Sequence, residues 1–494
     1  MGKSEKAGHP EWAVKCRRPG TELRFIGGHY YLYEVSSVYD KEKKRARKKT
    51  GKLLGKITEE NGFVESEKYR LARLAKKMVM PENGSAISIR EYGLSSFMSG
   101  EKTSHISGAL KGVFPSTWDK ILGLAYCRLA YQSPLKNMQY RLQRSWLGHQ
   151  FKLDEWKDRN IALFLRDLGR NRELAVSYMK RFVKEGDFVL ADATDILCKS
   201  SRITLAKKGY NHHMDYQPQI GLMYLYSAQT RMPAYYRIIP GNLREVKAFK
   251  QCIQESGAKN VVAIADKGFY SKENAKMLSD ESIRFIIPLR RNNILADYSV
   301  IDKGLIKSGS NYFLHEERVI WCCEMPSSEN RVMLFLDERL KVQEEADYIA
   351  RIGSCPEDHS IEKFHEMKNR SGTMAIISNI KDVSPEKIYS LYKSRMNIEV
   401  MFDSLKNILD ADSSYMQDEE ALQGWMFINH LALQIYQTIY SRLLENEMLA
   451  KHSVSDIIML LSDIRKARIN GDWLTCEITK KVAKTLGKFG LHIT

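Results

Sequence analysis

The sequence predicts an α/β protein with a mixed central sheet, preceded by a basic β-rich segment and a helical segment. Three observations predict this class. Apolar runs of strand length alternate with helix-period segments over residues 186–289, and a second group of strand-like runs interrupts them over 290–385. Helical periodicity then returns from residue 386. At 494 residues the chain is long enough for about two to four domains.

The chain is basic, with 77 Lys and Arg residues against 60 Asp and Glu residues and a formal charge of +17. Polyanions attract such proteins because each phosphate that is neutralised releases a condensed counterion. The charge density is moderate, so a solvated basic surface is the alternative. Charge alone therefore favours a nucleic-acid partner without establishing one.

The eight cysteines contain no CxxC pair and no regular spacing, which argues against a zinc ribbon and a disulfide framework. The N-terminus lacks the apolar core of a signal peptide, and no run reaches the ~18 apolar residues of a membrane span. We therefore predict a prokaryotic, cytoplasmic and nucleoid-associated protein without a membrane partner.

Residues 1–85 are predicted to form a basic β-rich DNA-binding region. The run KEKKRARKK (41–49) lies between two strand-like segments, which suits a basic hairpin tip that reaches phosphates or, alternatively, a solvated charged turn. Residues 86–185 space their apolar residues at three and four positions, which predicts a helical segment that binds DNA or links domains.

Residues 186–289 and 386–450 are predicted to form the core. The first part contains three strand-like runs in short succession, DFVLADAT, QIGLMYLYS and PAYYRIIPGN, and then helix, strand, helix and strand. This order is the one expected of a ribonuclease-H-like fold. Residues 290–385 form a β-rich insertion with three predicted strands, YFLHEERVIWCCEM, RVMLFLDERL and GTMAIISNI. Residues 451–494 are predicted to be a helical C-terminal tail.

Two of the buried strands are predicted to end on an acid, Asp192 in DFVLAD and Asp266 in VVAIAD. Carboxylates held at the ends of apolar strands suit a divalent cation, because Mg²⁺ prefers oxygen ligands and keeps positions open for phosphate oxygens. Asp is also common at strand ends as a turn former or helix cap. Asp195 is the alternative to Asp192, which we favour because it directly follows the apolar run.

The run YKSRMNIEVMFDSLK (392–406) is predicted to be one continuous helix. At about 100° per residue, four polar residues share one arc, Tyr392, Arg395, Glu399 and Lys406. An apolar stripe lies beside this arc and is predicted to be buried, namely Leu391, Ile398, Met401, Phe402, Leu405 and Leu409. Asp403 lies on nearly the same polar face, so helical geometry does not choose between Asp403 and Glu399.

The spacing Y-(2)-R-(3)-E-(6)-K over these four polar residues resembles the signature of one large group of bacterial insertion-sequence transposases. These are DDE enzymes with a β-rich insertion before the last acid. The DAT block at Asp192 and the DKGFY block at Asp266 resemble the first- and second-acid blocks of the group and occur in the same order. The resemblance covers most of the chain and selects Glu399 as the third acid.

The resemblance implies a DNA transposase that cuts at the ends of its insertion sequence and joins the 3′-OH ends to target DNA. The three acids would hold two Mg²⁺ ions, with Mn²⁺ able to substitute, while Tyr392, Arg395 and Lys406 would bind DNA phosphates. Terminal inverted repeats and target DNA would be the partners, and a homodimer would pair the two ends. The alternatives are a structure-specific nuclease on the same core and a non-catalytic DNA-binding protein.

Several other residues are left out of the predicted site. Trp321 is a candidate for stacking on a base, but a tryptophan of a core strand is the commoner case. The pair His212 and His213 is interpreted as loop residues, and Asn429 and His430 as polar packing residues of the next helix.

Overall fold

A computed structural model describes residues 9–40, 45–77, 87–184, 188–210, 216–241, 245–265, 267–309, 311–325, 330–469 and 471–493. The chain divides into two compact units. The first contains Met1–Ile89 and Ala467–Leu474, and the second contains Arg90–Lys466 and Thr475–Thr494. No helix in the described ranges has an apolar stretch long enough to cross a membrane.

The first unit is an antiparallel meander of four strands with a small apolar core. Its elements are α1 (Glu11–Val14), β1 (Thr21–Ile26), β2 (His29–Asp40), β3 (Arg45–Thr58), β4 (Gly62–Glu65) and α2 (Glu67–Lys77). Gly27 and Gly28 have φ angles of +58° and +80° and form the turn between β1 and β2. The predicted strands of this region are therefore present.

The described part of the basic run lies at the end of the β2–β3 hairpin, which agrees with the predicted hairpin, but it is strand. Arg45–Lys49 belong to β3 and are paired with Ser36–Asp40 of β2, so about half of the run is strand. Lys41–Lys44 lie outside the described residues. Residues 45–49 are all exposed, which a strand pair with both faces in solvent allows for cations on either face.

A short strand and a group of helices come next along the chain. These are β5 (Ser88–Glu91), α3 (Gly93–Ser99), α4 (Ser104–Val113), α5 (Trp118–Tyr131), α6 (Met138–Arg144), α7 (Trp146–Gln150), α8 (Asp158–Arg170) and α9 (Arg172–Lys180). The helical prediction is confirmed except at Ser88–Glu91, which form a strand. The apolar residues of these helices share one core with the central sheet.

In the described residues the central sheet contains eleven strands, of which five form its core. The elements of this part are β6 (Val189–Cys198), β7 (Lys207–Tyr210), β8 (Tyr216–Ser227), β9 (Met232–Pro240), α10 (Glu245–Ser256), β10 (Val261–Ile264), α11 (Lys272–Asp280), β11 (Arg284–Pro288) and α12 (Ser299–Asp302). The core order is β9-β8-β6-β10-β11, in which β8 is antiparallel to β6 while β10 and β11 are parallel to it. This is the predicted ribonuclease-H-like arrangement of a mixed sheet.

The β-rich insertion extends the core sheet at its β11 edge. It contains β12 (Tyr312–His315), β13 (Arg318–Met325), β14 (Arg331–Asp337), α13 (Glu338–Ser354), α14 (Ile361–Met367) and β15 (Thr373–Ser378). β15 pairs antiparallel with β11, and β14, β13 and β12 follow outward. The single predicted strand YFLHEERVIWCCEM is two strands, because Glu316 and Glu317 both adopt positive φ and close a hairpin.

The chain returns to the core through helices. The remaining elements are α15 (Pro385–Lys393), α16 (Arg395–Asp403), β16 (Ser413–Ser414), α17 (Glu419–Glu445), α18 (Val454–Ser462), β17 (Arg465–Ile469), β18 (Asp472–Thr475) and α19 (Lys480–Lys488). A π-helical turn over Ser404–Ile408 continues α16. The tail over 451–494 is predicted to be helical, but α18 ends at Ser462 and Arg465–Ile469 form a strand.

Helix α17 is almost wholly buried and crosses α8 at a pair of glycines. A Cβ atom on Gly169 would overlap the carbonyl oxygen of Glu420, and one on Gly424 would overlap that of Leu165. Gly424→Ala is expected to lower the free energy of unfolding by about 2–3 kcal/mol, since two backbones must separate to admit the methyl group. Urea denaturation measures this loss. Gly108→Ala in α4, where a Cβ meets open space, is the control and should be neutral or stabilising.

Buried Glu91 is expected to make the stability of the protein depend on pH. Burial raises the pKa of Glu91 to about 7, against the hydrogen bonds donated by Ser95 Oγ at 2.6 Å and by the Leu94 and Ser95 amides. Because the pKa of Glu91 is higher in the folded than in the unfolded protein, protonated Glu91 stabilises the fold. This contribution is fully present below pH 4.5 and is lost as the pH rises through about 7. We expect Glu91→Gln to remove this dependence, which amounts to about 2–3 kcal/mol at most. Denaturation curves at pH 5 and 8 measure it, and equal pH slopes in both proteins would contradict the assignment.

Candidate active site

Asp192 lies in the middle of the core sheet. It is opposite Tyr224 of β8, and its neighbour Ala191 is opposite Ala263 of β10. The Asp192 side chain is 18% exposed, and its carboxylate accepts a hydrogen bond of 2.9 Å from the amide of Ala193. The prediction that β6 ends at Asp192 is wrong, because β6 continues to Cys198. Pairing with β8 at Asp192 and with β10 as far as Ala191 nevertheless fixes the backbone that carries this carboxylate.

Asp266 lies outside the described residues, whereas the strand that precedes it is described. β10 ends at Ile264 and is buried along its whole length, and Ala265 is buried as well. The predicted buried strand before this acid is therefore present.

The helix predicted over residues 392–406 is interrupted. α15 ends at Lys393, and Ser394 both caps α15 and precedes α16. The Ser394 hydroxyl donates to the carbonyl of Ser390 at 2.9 Å, and Ser390 makes the same kind of bond to Glu386 within α15. A single helical wheel therefore does not apply from Tyr392 to Lys406. The apolar stripe from Leu391 to Leu409 is nonetheless fully buried, as predicted.

Arg395, at the start of α16, joins two of the predicted acids. Its Nε lies 3.6 Å from Oδ2 of Asp192, and its Nη1 lies 2.7 Å from Oε1 of Glu399. Helix α16 is held against the sheet by Phe402, whose ring meets that of Tyr224 edge to face at 6.0 Å. The structure thus brings Asp192, Arg395 and Glu399 together, although they come from distant parts of the sequence.

Lys406 forms a second pair between the same segment and β6. It lies on the π-helical turn, is 11% exposed and places its Nζ 3.9 Å from Oδ1 of Asp195. Burial lowers the pKa of Lys406, while the charges of Asp195 and Asp412 oppose this shift. Asp195, the alternative first acid, therefore contacts a different cation from the one that Glu399 contacts.

Asp403 and Glu399 differ in their surroundings, although helical spacing left them equivalent. Glu399 is 48% exposed and pairs with Arg395. Asp403 is exposed and accepts a hydrogen bond of 2.6 Å from Asn407 on its own helical segment. In the described part of the chain, Glu399 is the one of these two acids that shares a cation with Asp192.

Tyr392 lies before the helix break and lines a cavity of about 200 Å³. The cavity wall combines cationic with acidic residues, including Lys267, Arg291, Lys393, Asp337 and Glu344. Arg291 Nη2 lies 2.8 Å from both carboxylate oxygens of Glu344. The structure therefore assigns Tyr392 to the boundary between the insertion and the core.

The donor set of this site suits a hard divalent cation. Two carboxylates, Asp192 and Glu399, contact one guanidinium, so their negative charges converge on a single cation position. Carboxylate oxygens are the ligands that Mg²⁺ prefers. Within the described residues, to which Asp266 does not belong, no group of three His, Cys, Asp or Glu side chains is arranged for a metal. The described pair fits a metal site but does not complete one.

The residues left out of the predicted site have these positions. Trp321 is partly exposed in β13, and its ring contacts that of Tyr312 at 5.4 Å. His430 is fully buried against Tyr224 and Tyr236, and Asn429 is buried and accepts from Arg128. Both are packing residues, as predicted. His212 and His213 lie outside the described residues.

Arg128, which was not among the residues predicted from the sequence, supports the far end of the active-site segment. This residue is 2% exposed and donates to the carbonyls of Leu409 and Asp410, directly after the π-helical turn. Its guanidinium also stacks on Trp425 of α17 at 4.7 Å. The one available signal was an arginine within an otherwise apolar helical stretch, LGLAYCRLAY.

Comparison with known proteins adds independent findings. A family model described as "Transposase DDE domain" matches residues 184–435, which include Asp192, Asp266 and Glu399. No curated protein sequence matches the chain. Among solved structures, the chain is similar to a piggyBac transposase in a cryo-EM synaptic complex with hairpin DNA. The identity is 11% and the TM-score 0.37, over 76% of this chain and 82% of that chain.

Proposed function

The chain belongs to the family of transposases with a DDE domain, and from this premise we propose that it cuts DNA at the ends of its own insertion sequence and joins the freed 3′-OH ends to target DNA. Asp192, Asp266 and Glu399 are the proposed acids. The observation that carries the proposal is the convergence of Asp192 and Glu399 on Arg395. The Y-(2)-R-(3)-E-(6)-K spacing supports membership of the bacterial insertion-sequence group.

The three acids would hold two Mg²⁺ ions, which activate the attacking oxygen and stabilise the leaving oxygen when bound. Arg395 neutralises the two described carboxylates and offers its remaining N–H groups to a phosphate. Lys406, held by Asp195, adds a second positive charge beside the strand. Tyr392 completes the proposed DNA-binding set. Two copies of the chain would pair the two ends of the element.

Asp192 is proposed as the first acid in preference to Asp195 because it shares Arg395 with Glu399. The exchange of Asp192 for Asn is therefore expected to abolish strand transfer, whereas Asp195→Asn should retain a measurable part of it. The loss in Asp195→Asn is smaller because this change only frees Lys406. The assay combines the purified protein, Mg²⁺, a duplex ending in the DNA that borders the coding region, and a supercoiled target plasmid.

Joined products from the wild-type protein distinguish a transposase from a nuclease on the same fold, which would only shorten the duplex. Absence of both cleavage and joining, together with tight DNA binding, would favour the non-catalytic alternative. Equal loss of strand transfer in Asp192→Asn and Asp195→Asn would contradict the choice of Asp192 over Asp195 as the first acid.

A further inference from the structure

A cavity of about 430 Å³ lies apart from the proposed acids, between α4, α9, the β8–β9 turn and the end of α17. Thr230 of its wall lies in that turn, next to Ser227, which is opposite Val189 at the beginning of β6. None of the residues that line the cavity belongs to the proposed catalytic or DNA-binding set. Its size is within the range of about 300–1,000 Å³ that is typical of small-molecule sites.

Four cationic side chains line this cavity, Lys102, Arg181, Lys184 and Arg442, and one acid, Glu445. In the described ranges, none of the four forms an ion pair with an acid. A concave surface with walls of low dielectric constant concentrates such an excess of positive charge. The cavity is therefore suited to a ligand with more than one negative charge.

Two polar atoms of the wall are shielded from solvent but lack a hydrogen-bond partner, Ser441 Oγ and Arg442 Nε. Arg442 is held in place, because its Nη2 donates to the carbonyl of Phe489 at 2.8 Å. Neither atom is open to a ligand in the cavity, but the fixed guanidinium keeps a positive charge at the cavity wall. A phosphate is the kind of anion that such a guanidinium binds.

The opposite part of the wall is apolar and aromatic. Phe182, Met232 and Ala109 line it, and the Phe182 ring faces that of His105 at 6.4 Å. Arg181 lies against Gly112, where a Cβ atom would come within 2.5 Å of Nη1, so the missing side chain leaves room for the guanidinium. Cations beside an aromatic wall match the two halves of a nucleoside phosphate, the phosphate and the base.

We propose that this cavity is a binding site for a nucleoside phosphate. The ligand is either one nucleotide of a DNA strand that passes over this face or a free nucleotide. The inference does not rest on the proposed catalysis, because it uses none of the three acids and needs no metal.

The test compares a variant of the cavity with a variant of matched charge. Arg181→Gln/Lys184→Gln removes two exposed cations from the cavity, and Lys157→Gln/Arg159→Gln removes two exposed cations from α8 and its cap, outside the cavity. The probes are 2′-deoxyadenosine 5′-monophosphate, followed by calorimetry, and a fluorescent 30-base-pair duplex, followed by anisotropy. EDTA is present throughout, so that failure of the proposed chemistry cannot affect the result.

We expect the cavity variant to lose at least tenfold in affinity for one or both probes relative to the control variant. Selective loss of the mononucleotide identifies a free nucleotide as the source, and selective loss of the duplex identifies a DNA strand. Gly112→Ala retains every charge and should weaken the affected probe by displacing Arg181. Equal affinities of the cavity variant and the control variant for both probes would overturn the proposal.

Discussion

Glu399→Gln is expected to reduce Mg²⁺-dependent cleavage of end-containing DNA by about a thousandfold or more, while DNA binding stays within a few-fold of wild type. The reduction corresponds to about 4 kcal/mol of transition-state stabilisation, which is a reasonable share of what a bound metal contributes. Glutamine keeps the shape of the side chain but removes the charge that a cation requires. In this variant Arg395 loses its ion pair with residue 399, so its guanidinium is available to bind a DNA phosphate.

Asp403→Asn is the matched control, because this acid lies four residues further along the same segment and contacts Asn407 instead of Arg395. It should retain cleavage within about threefold, in keeping with the small effect of most exposed substitutions. Single-turnover cleavage and anisotropy on the same duplex separate the chemical step from binding. Full cleavage by Glu399→Gln, or complete loss of cleavage in Asp403→Asn alone, would contradict the assignment and indicate Asp403 as the third acid.

Arg128→Ala is expected to lower the free energy of unfolding by about 4 kcal/mol, a large part of the stability of an ordinary domain. Five groups accept hydrogen bonds from this guanidinium, the Asn429 side-chain oxygen and the carbonyls of Gln132, Ser133, Leu409 and Asp410. Removal leaves buried acceptors without donors and also ends the stacking on Trp425.

Arg128→Lys should restore only part of this stability, because an ammonium cannot reach the five acceptors that a planar guanidinium contacts. Arg144→Gln serves as the control, since Arg144 is exposed and stacks on Tyr140 at the surface, and its change should remain below about 1 kcal/mol. Urea denaturation provides the comparison. A fully stable Arg128→Lys protein would show that charge, and not the fork of donors, maintains this contact.

The class of fold and most of its elements were accessible from the sequence. Strands such as VVAI (261–264) are short apolar runs, and α17 is a long helical segment without proline, so local pattern and tertiary structure agree there. The order of strands and helices was therefore sufficient to predict the mixed core sheet. The spacing of Tyr392, Arg395, Glu399 and Lys406 was likewise visible without coordinates.

Other features depended on contacts between distant residues. The strand β6 extends beyond Asp192 because β8 pairs with it as far as Leu197, which no local pattern indicates. The predicted helix is divided at Ser394, between the end of α15 and the start of α16, so one helical period cannot relate Tyr392 to Lys406.

By itself, the sequence determined which residues could carry the chemistry, since residue types and spacing are local properties. Only the tertiary structure decided which of them meet. Glu399 and Asp403 have equivalent positions on a helical wheel, but packing of α16 against β6 places Arg395 between Glu399 and Asp192. The physical reason is that an ion pair depends on distance through space, and residues 192 and 395 become neighbours only when the sheet and the helix share a core.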